Sequence, residues 1–338
     1  MIRPHAIIVT VKEKNLDAMW LRDSSAQVWP YLQLCKEDQD LKQLIKGVIN
    51  RQVKCILKDP YANAFYKDEN KISEWKKSDI TDMKPGIHER KWEIDSVCYP
   101  VRLAYGYWKQ TGDASAFDDR WAEAMKLIVK TLKEQQRFNS KGPYSFQRRT
   151  AWATDGVPMA GYGYPANPNG LICSMFRPSD DATIYPYLIP SNFFAVVSLK
   201  QMAELLKTKG GRQDEIKEAM DLSKQVDDAL KAHATVNNGA FAKIYAYETN
   251  GFGSYNLMDD ANVPSLLSLP YLGAVSRAKE RELYIGIYTE PLFTTKNEEE
   301  NHIEIAKCTD ENQVLVGIAT YGENKKVNKA LDGLKFHT

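Results

Sequence analysis

Residues 18–31 read Ala-Met-Trp-Leu-Arg-Asp-Ser-Ser-Ala-Gln-Val-Trp-Pro-Tyr. Fourteen consecutive positions thus hold an arginine, a carboxylate, two hydroxyls, an amide and three large aromatic rings. A core segment has no place for Arg22 and Asp23 between Trp20 and Trp29, because an unpaired buried charge costs far more than a packing residue returns. A solvated segment has little use for two tryptophans. The mixture suits a polyhydroxylated ligand. Aromatic rings such as Trp20 stack on the C–H face of a sugar, while Arg22 and Asp23 take its hydroxyls in directed, charge-assisted hydrogen bonds. The competing role for the pair is a buried ion pair at a helix start, which stabilises little.

Three further clusters share this character: His88-Glu-Arg-Lys-Trp-Glu-Ile-Asp95, Arg177-Pro-Ser-Asp-Asp181 and Met258-Asp-Asp-Ala-Asn262. Glycoside hydrolysis needs two carboxyl groups across the scissile bond. One is protonated toward the leaving oxygen, and the other acts as base or nucleophile on the opposite face. In an inverting enzyme they stand about 6.5–9.5 Å apart to admit a water. The adjacent pair Asp180 and Asp181 is a candidate source of the acid, because neighbouring carboxylates repel and one then keeps its proton to higher pH. Arg177 can instead hold one of them ionised, and an aspartate at a helix start also serves as a cap. His88 and Glu89 read as further cleft residues, since a neutral imidazole both donates to and accepts from hydroxyls. Glu93 and Asp95 read as groups that order the helix after them. Asp259, Asp260 and Asn262 are candidates for the far wall of the cleft, with capping again the competing role. Tyr247 and Glu248 are weaker candidates.

Other chemistries lack their signatures. There is no Gly-x-Ser-x-Gly elbow and no Gly-rich phosphate or dinucleotide loop. No Asp-x-Asp-x-Asp-Gly calcium loop is present either. The 45 basic and 44 acidic side chains leave a net charge of +1, which argues against nucleic acid or an anionic membrane as main partner. No apolar run approaches the roughly 20 residues that span a bilayer. The five cysteines (Cys35, Cys55, Cys98, Cys173 and Cys308) form no Cys-x-x-Cys pair, so neither a disulfide framework nor a zinc site is expected. No cofactor is expected. The apolar stretch Ala6–Val9 is too short for a secretory core, and a cytoplasmic location is expected.

The elements that must position these groups are helices. Leu41, Leu44, Ile45, Val48, Ile49, Val53, Ile56 and Leu57 recur at helical steps. Val97, Val101, Ala104 and Trp108 give a second stripe, with Pro100 as a kink or break. Trp121–Leu132, Phe194–Leu206 and Ile216–Leu230 give three more, and Leu266, Leu267, Leu269 and Leu272 begin a sixth. Long loops rich in aromatics, 59–85 and 141–190, lie between them. Helical hairpins alternating with such loops suggest a ring whose loops converge at one end; an irregular bundle is the alternative.

Five stretches in this frame closely resemble glycoside hydrolase family 125. They are Ala18-Met-Trp-Leu-Arg-Asp-Ser-Ser-Ala-Gln-Val, His88-Glu-Arg-Lys-Trp-Glu-Ile-Asp-Ser, Phe176-Arg-Pro-Ser-Asp-Asp-Ala, Leu188-Ile-Pro-Ser-Asn and Met258-Asp-Asp-Ala-Asn-Val-Pro-Ser-Leu-Leu-Ser-Leu-Pro-Tyr-Leu-Gly273. They occur in the family's order from about Met19 to Gly273. The resemblance implies an all-α (α/α)6 toroid, incomplete at its C-terminal end, and a metal-independent, inverting exo-α-1,6-mannosidase. It implies an α-mannoside oligosaccharide or glycan as partner. It places the general acid in the Arg177–Asp181 segment, with Asp181 favoured over Asp180, and makes Arg22 and Asp23 ligands of the terminal mannose.

The tail departs from the pattern. The family's general base, a glutamate in a His-Glu-Ser-Phe-type motif, has no counterpart here, and Glu290 and the acids near Glu298 are the nearest options. Without a base, water attack loses about 10²–10⁴-fold of assistance. A non-catalytic mannose-binding remnant is therefore the alternative to the hydrolase. The expected division is a barrel domain over 1–275 and an atypical, strand-like tail over 276–338.

Overall fold

The structure, a computed structural model, describes residues 17–238 and 242–275. Its main elements are seven helices: α1 (Leu21–Val28), α2 (Gln39–Lys58), α3 (Ile94–Thr111), α4 (Asp119–Glu134), α5 (Pro158–Gly161), α6 (Ile189–Lys207) and α7 (Gln213–His233). The strands among them are only two to four residues long. The helix-rich character read from the periodicity is thus present. Glu290, Glu298, Cys308 and the strand-like tail lie outside the described residues.

Local chemistry sets the helix ends. Asp38 accepts from the Leu41 amide at 2.9 Å to start α2, and Asp118 accepts from the Trp121 amide at 2.9 Å to start α4. Each satisfies an amide that the first turn leaves open. α3 ends at Gly112, whose φ of 66° is a left-handed stop that glycine adopts without strain. α6 is buried on nearly every side, with fourteen of its nineteen residues inside. It lies between α3 and α7, while α3 also packs on α1 and α2, and α4 on α2 and α7. Gln52 ties α1 to α2, donating to the hydroxyls of Ser24 at 2.9 Å and Ser25 at 2.8 Å.

Two expectations change. Pro100 does not break its helix: α3 runs through it, at the cost of one internal hydrogen bond. The leucine stripe at 266–272 does not form a helix within the described residues. Leu266, Leu269 and Leu272 are buried, but the segment is a run of turns. Ser265 and Ser268 bond each other's backbone amides at 2.8 and 3.2 Å, and Pro264 and Pro270 cannot donate. Hydroxyls competing for backbone groups and missing N–H donors override the apolar spacing.

Short sheets deliver the polar residues to helix starts. Ala18–Trp20, Ala64–Tyr66 and Ile87–Glu89 form one antiparallel sheet in the spatial order first, second, third. Its first strand runs directly into α1 and its third lies just before α3. Tyr187–Leu188, Glu248–Thr249 and Tyr255–Asn256 form a second sheet, and Tyr187–Leu188 enters α6. Asp79–Ile80 pairs with Gln147–Arg148. Asn192 fixes the 171–174 segment on α6, its side chain donating to the Ile172 and Leu188 carbonyls and accepting from the Ile172 amide. No helix among the described residues is long and apolar enough to cross a membrane.

Candidate active site

Arg22, in the first turn of α1, is the hub. Its guanidinium donates to Glu93 at 3.0 Å and to Asp95 at 3.2 Å. It also stands 3.6 Å from Asp180 and 3.8 Å from Asp23. Glu93 and Asp95 are wholly buried at the start of α3, whereas Asp23 and Asp180 keep about two-fifths of their side chains exposed. Asp23 and Asp180 therefore form the mouth of the cluster and Glu93 and Asp95 its floor. Burial pushes the Glu93 carboxyl well above the usual range, against the pull of Arg22. Burial likewise raises Asp95, to about 6. Among the described residues, four carboxylate oxygens in this cluster are buried without a hydrogen-bond donor: Asp23 Oδ2, Glu93 Oε1, Asp95 Oδ1 and Asp180 Oδ1. Acceptors left in this state are what the hydroxyls of a sugar would satisfy.

The Asp180 segment is built as a tight loop. An antiparallel bridge between Phe176 and Ala182 closes it. Inside, the Asp180 amide donates to the Arg177 carbonyl at 3.0 Å and the Arg177 amide to the Asp181 carbonyl at 2.8 Å. Pro178 suits the second position of this turn, and the fourth takes a left-handed backbone, Asp180 having φ 65°. Glycine is the usual occupant of such a position. Aspartate tolerates it at a cost of about 1–2 kcal/mol. The strain places a carboxylate where glycine would place nothing. The loop is held from both sides. Arg177 donates to Glu248 at 2.8 Å, and Lys91 donates to the Asp180 carbonyl at 2.8 Å.

Lys91 belongs to a second ionic network behind the loop. It bonds Asp155 at 2.8 Å and lies 3.6 Å from Glu89. Arg148 bonds Asp79 twice (2.7 and 2.9 Å), Glu89 at 2.9 Å and Asp155 at 3.1 Å. Arg148 is 3% exposed, so these bonds are made out of water and are strong. The Asp155 turn also receives the Ala182 amide on the Thr154 carbonyl at 2.7 Å. Its neighbour Trp152 is 77% exposed, a large ring left facing solvent beside the Asp180 loop.

Each residue singled out from the sequence can now be placed. Arg22, Asp23 and Asp180 share one cluster. Asp181 adjoins it, its carboxylate approached by the Ser179 hydroxyl at 3.5 Å. Trp20, partly exposed, packs edge-on against His88 with ring centroids 5.0 Å apart. His88 is buried, and its Nδ1 meets the Tyr66 hydroxyl at 2.8 Å. Burial lowers its pKa, so the imidazole is neutral at pH 7. Glu89 lies in the Arg148 network and also accepts from Asn63 at 3.1 Å. Asp259 accepts from the Leu266 and Leu267 amides, ordering that turn. Asp260 accepts from the Asn262 amide and side chain, with the Tyr247 hydroxyl 3.5 Å away. Tyr247 in turn lies under Arg177, its ring 5.6 Å from the guanidinium. This turn thus approaches the loop from the Arg177 side.

The sequence reading undervalued Glu93 and Asp95, and it missed Lys91, Asp79, Arg148 and Asp155. The dense alternation of charges in His88–Asp95 was the available signal. Nothing in the sequence reveals that Arg22, 71 positions earlier, lands on Glu93. Among the described residues no group of three or more His, Cys, Asp or Glu side chains is arranged to hold a metal ion. The acids of the first cluster surround a guanidinium.

Comparison with known proteins supplies a context for this geometry. The model of a family described as metal-independent α-mannosidases (GH125) matches residues 4–292. A second, described as a protein family of unknown function (DUF2000), matches residues 273–338. The meiotically up-regulated gene 157 protein of Schizosaccharomyces pombe is 38% identical over 289 residues, which is 81% of this chain and 56% of that protein. A metal-independent α-mannosidase of Streptococcus pneumoniae, solved in a non-productive complex with α-1,6-mannobiose, is 42% identical with a TM-score of 0.75. That similarity covers 80% of this chain and 65% of the bacterial one. The chain therefore spans between half and two-thirds of the length of these two relatives.

Proposed function

Since the chain belongs to the metal-independent α-mannosidase family GH125, we propose that it is an exo-acting α-1,6-mannosidase that releases a non-reducing terminal mannose with inversion. The observation that carries this reading is the cluster at Arg22. One guanidinium and the partly open carboxylates of Asp23 and Asp180 meet over a buried acidic floor, a donor and acceptor set suited to one pyranose. Arg22 and Asp23 take the sugar hydroxyls. Asp180, whose carboxylate approaches Arg22, is the leading candidate for the general acid, ahead of Asp181. Trp20, at the end of the strand that runs into α1, stands two positions before Arg22 as a candidate stacking ring, and the exposed ring of Trp152 offers a stacking face to the rest of an α-mannoside glycan. The helices belong, on this reading, to an (α/α)6 toroid. The division of the chain near residue 275 is part of this reading and draws on the second family match, which begins at residue 273, while the first runs on to 292. A cytoplasmic location is part of this reading, with which the buried thiols of Cys35, Cys55, Cys98 and Cys173 among the described residues are compatible.

The test is direct. Full-length protein incubated with α-1,6-mannobiose is expected to release free mannose, first as the β-anomer by proton NMR. Asp180→Asn is expected to lower the rate by about 10²–10⁴-fold. Binding without release would overturn the hydrolase and leave the mannose-binding protein. Neither binding nor release would overturn both.

A further inference from the structure

The charges at Arg22 do not balance. Within 4 Å of one guanidinium stand Asp23, Glu93, Asp95 and Asp180. If all four were ionised, the group would carry three excess negative charges around two side chains that water does not reach. The hydrogen bonds do not balance either. Glu93 Oε2 is satisfied, by Arg22 at 3.0 Å and by the Ser96 hydroxyl at 2.7 Å. Its second oxygen, Oε1, has no donor among the described residues, and neither has Asp180 Oδ1 or Asp95 Oδ1. Ionised carboxylates only accept, so facing carboxylates leave each other's lone pairs without a donor.

One proton removes most of this conflict. Placed on Glu93 Oε1, it turns a bare acceptor into a donor and cancels one charge. Glu93 and Asp180 approach the same guanidinium, at 3.0 and 3.6 Å, so the bare Asp180 Oδ1 shares that cation with the new donor. The other acids are worse hosts. Asp95 is at the second position of α3, where the open amides of the helix start favour an anion. Asp23 and Asp180 are partly solvated, and water stabilises their charge. The neighbours facing Glu93 are Arg22 and Asp23 from α1, Asp95 and Ser96 from α3, and Asp180 from the 177–181 loop. Lys91 stands behind that loop on the Asp180 carbonyl.

We propose that Glu93 is protonated in the resting protein at neutral pH and shares its proton with Asp180. The two then act as a one-proton pair across the floor of the site. The direction in which burial moves Glu93 agrees with this assignment. Resting on the hydrolase reading, the role of Glu93 is to position: its hydroxyl keeps Asp180 supplied with a proton. Once that proton has passed to the leaving oxygen, both carboxylates stand ionised beside the Arg22 guanidinium. Solvent water re-protonates the pair after the product leaves.

Infrared difference spectroscopy of the full chain at pH 7 tests this without substrate. The wild type is expected to carry the C=O stretch of a buried carboxylic acid, and Glu93→Gln, which keeps the shape and supplies an N–H donor, is expected to lose it. In unmodified protein labelled with ¹³C-carboxyl glutamate, one glutamate signal is expected to titrate with a midpoint above 7. The proposal is overturned if Glu93→Gln leaves the band unchanged, or if every glutamate of the wild type titrates in the ordinary acid range. The labelled wild type decides the matter even if Glu93→Gln fails to fold. Both readouts stand whether or not the protein hydrolyses mannosides.

Discussion

An Arg22→Met variant is expected to lose α-1,6-mannobiose affinity by at least about 30-fold, since removing one partner of a buried, charged hydrogen-bonding set costs about 2–5 kcal/mol in binding. It is also expected to be less stable. Arg22 is 13% exposed and makes the charged contacts to Glu93 and Asp95, both wholly buried. Breaking such a set by removing the cation costs about 3–5 kcal/mol, because the stranded Asp95 carboxylate has no water to turn to. The loss depends on pH, and its sign is fixed by the raised acids. Asp95 sits at about 6 in the folded chain against an ordinary 3.8. Stability linked to its protonation is therefore fully present below about 3.8 and disappears as pH rises through about 6. Removing Arg22 removes the group that holds both carboxyls down, so their pKa values rise further. The deficit of Arg22→Met relative to wild type is expected to be largest at pH 8 and to shrink toward pH 5. Urea unfolding of both proteins at the two pH values measures it. A deficit independent of pH would mean that Arg22 contributes only packing.

Arg148→Met is the second change with a large expected effect, and here stability is the primary readout. Arg148 is 3% exposed and serves three carboxylates, with two bonds to Asp79, which is itself fully buried. A methionine fills the volume but leaves Asp79, Glu89 and Asp155 with Lys91 as their remaining close cation among the contacts of this network. A loss of about 3–5 kcal/mol follows from the uncompensated charges. Arg148→Lys is expected to recover less than half of it, because an ammonium cannot make the paired bonds to Asp79 while reaching Glu89 and Asp155. The effect also reaches the site. Lys91 drawn toward the unpaired acids leaves the Asp180 carbonyl, and the left-handed turn loses its outside brace. Mannobiose affinity of Arg148→Met, measured where the variant is still folded, is expected to fall. Unchanged affinity would show that the brace does not set the position of Asp180.

The parts legible in the sequence were those with local signatures. The stripes of α2, α4, α6 and α7 announce themselves through spacing, and the Asp caps of α2 and α4 stand one residue before their helices. Arg22, Asp23 and the Asp180–Asp181 pair stand out as candidates because charged and aromatic residues are dense around them. What could not be read depends on long-range pairing. Asp79 and Arg148 meet through strands of two residues, too short for any alternation to register. Glu93 and Asp95 resemble ordinary helix-start acids, and only the packing of α1 on α3 turns them into the floor of a site. Asp180 and Asp181 are chemically equal in sequence. Their difference comes from the left-handed turn, which directs Asp180 to Arg22. At 266–272 the leucines signal a helix and the serines and prolines prevent it.

The central claim is that the cluster at Arg22 is the seat of a terminal mannose. Diffraction from crystals soaked with α-1,6-mannobiose tests it most directly. The expected result is a non-reducing pyranose whose hydroxyls bond Arg22 and Asp23, with the glycosidic oxygen beside Asp180. A disaccharide bound elsewhere, with the Arg22 cluster left unliganded at a concentration that saturates binding in solution, would contradict the account.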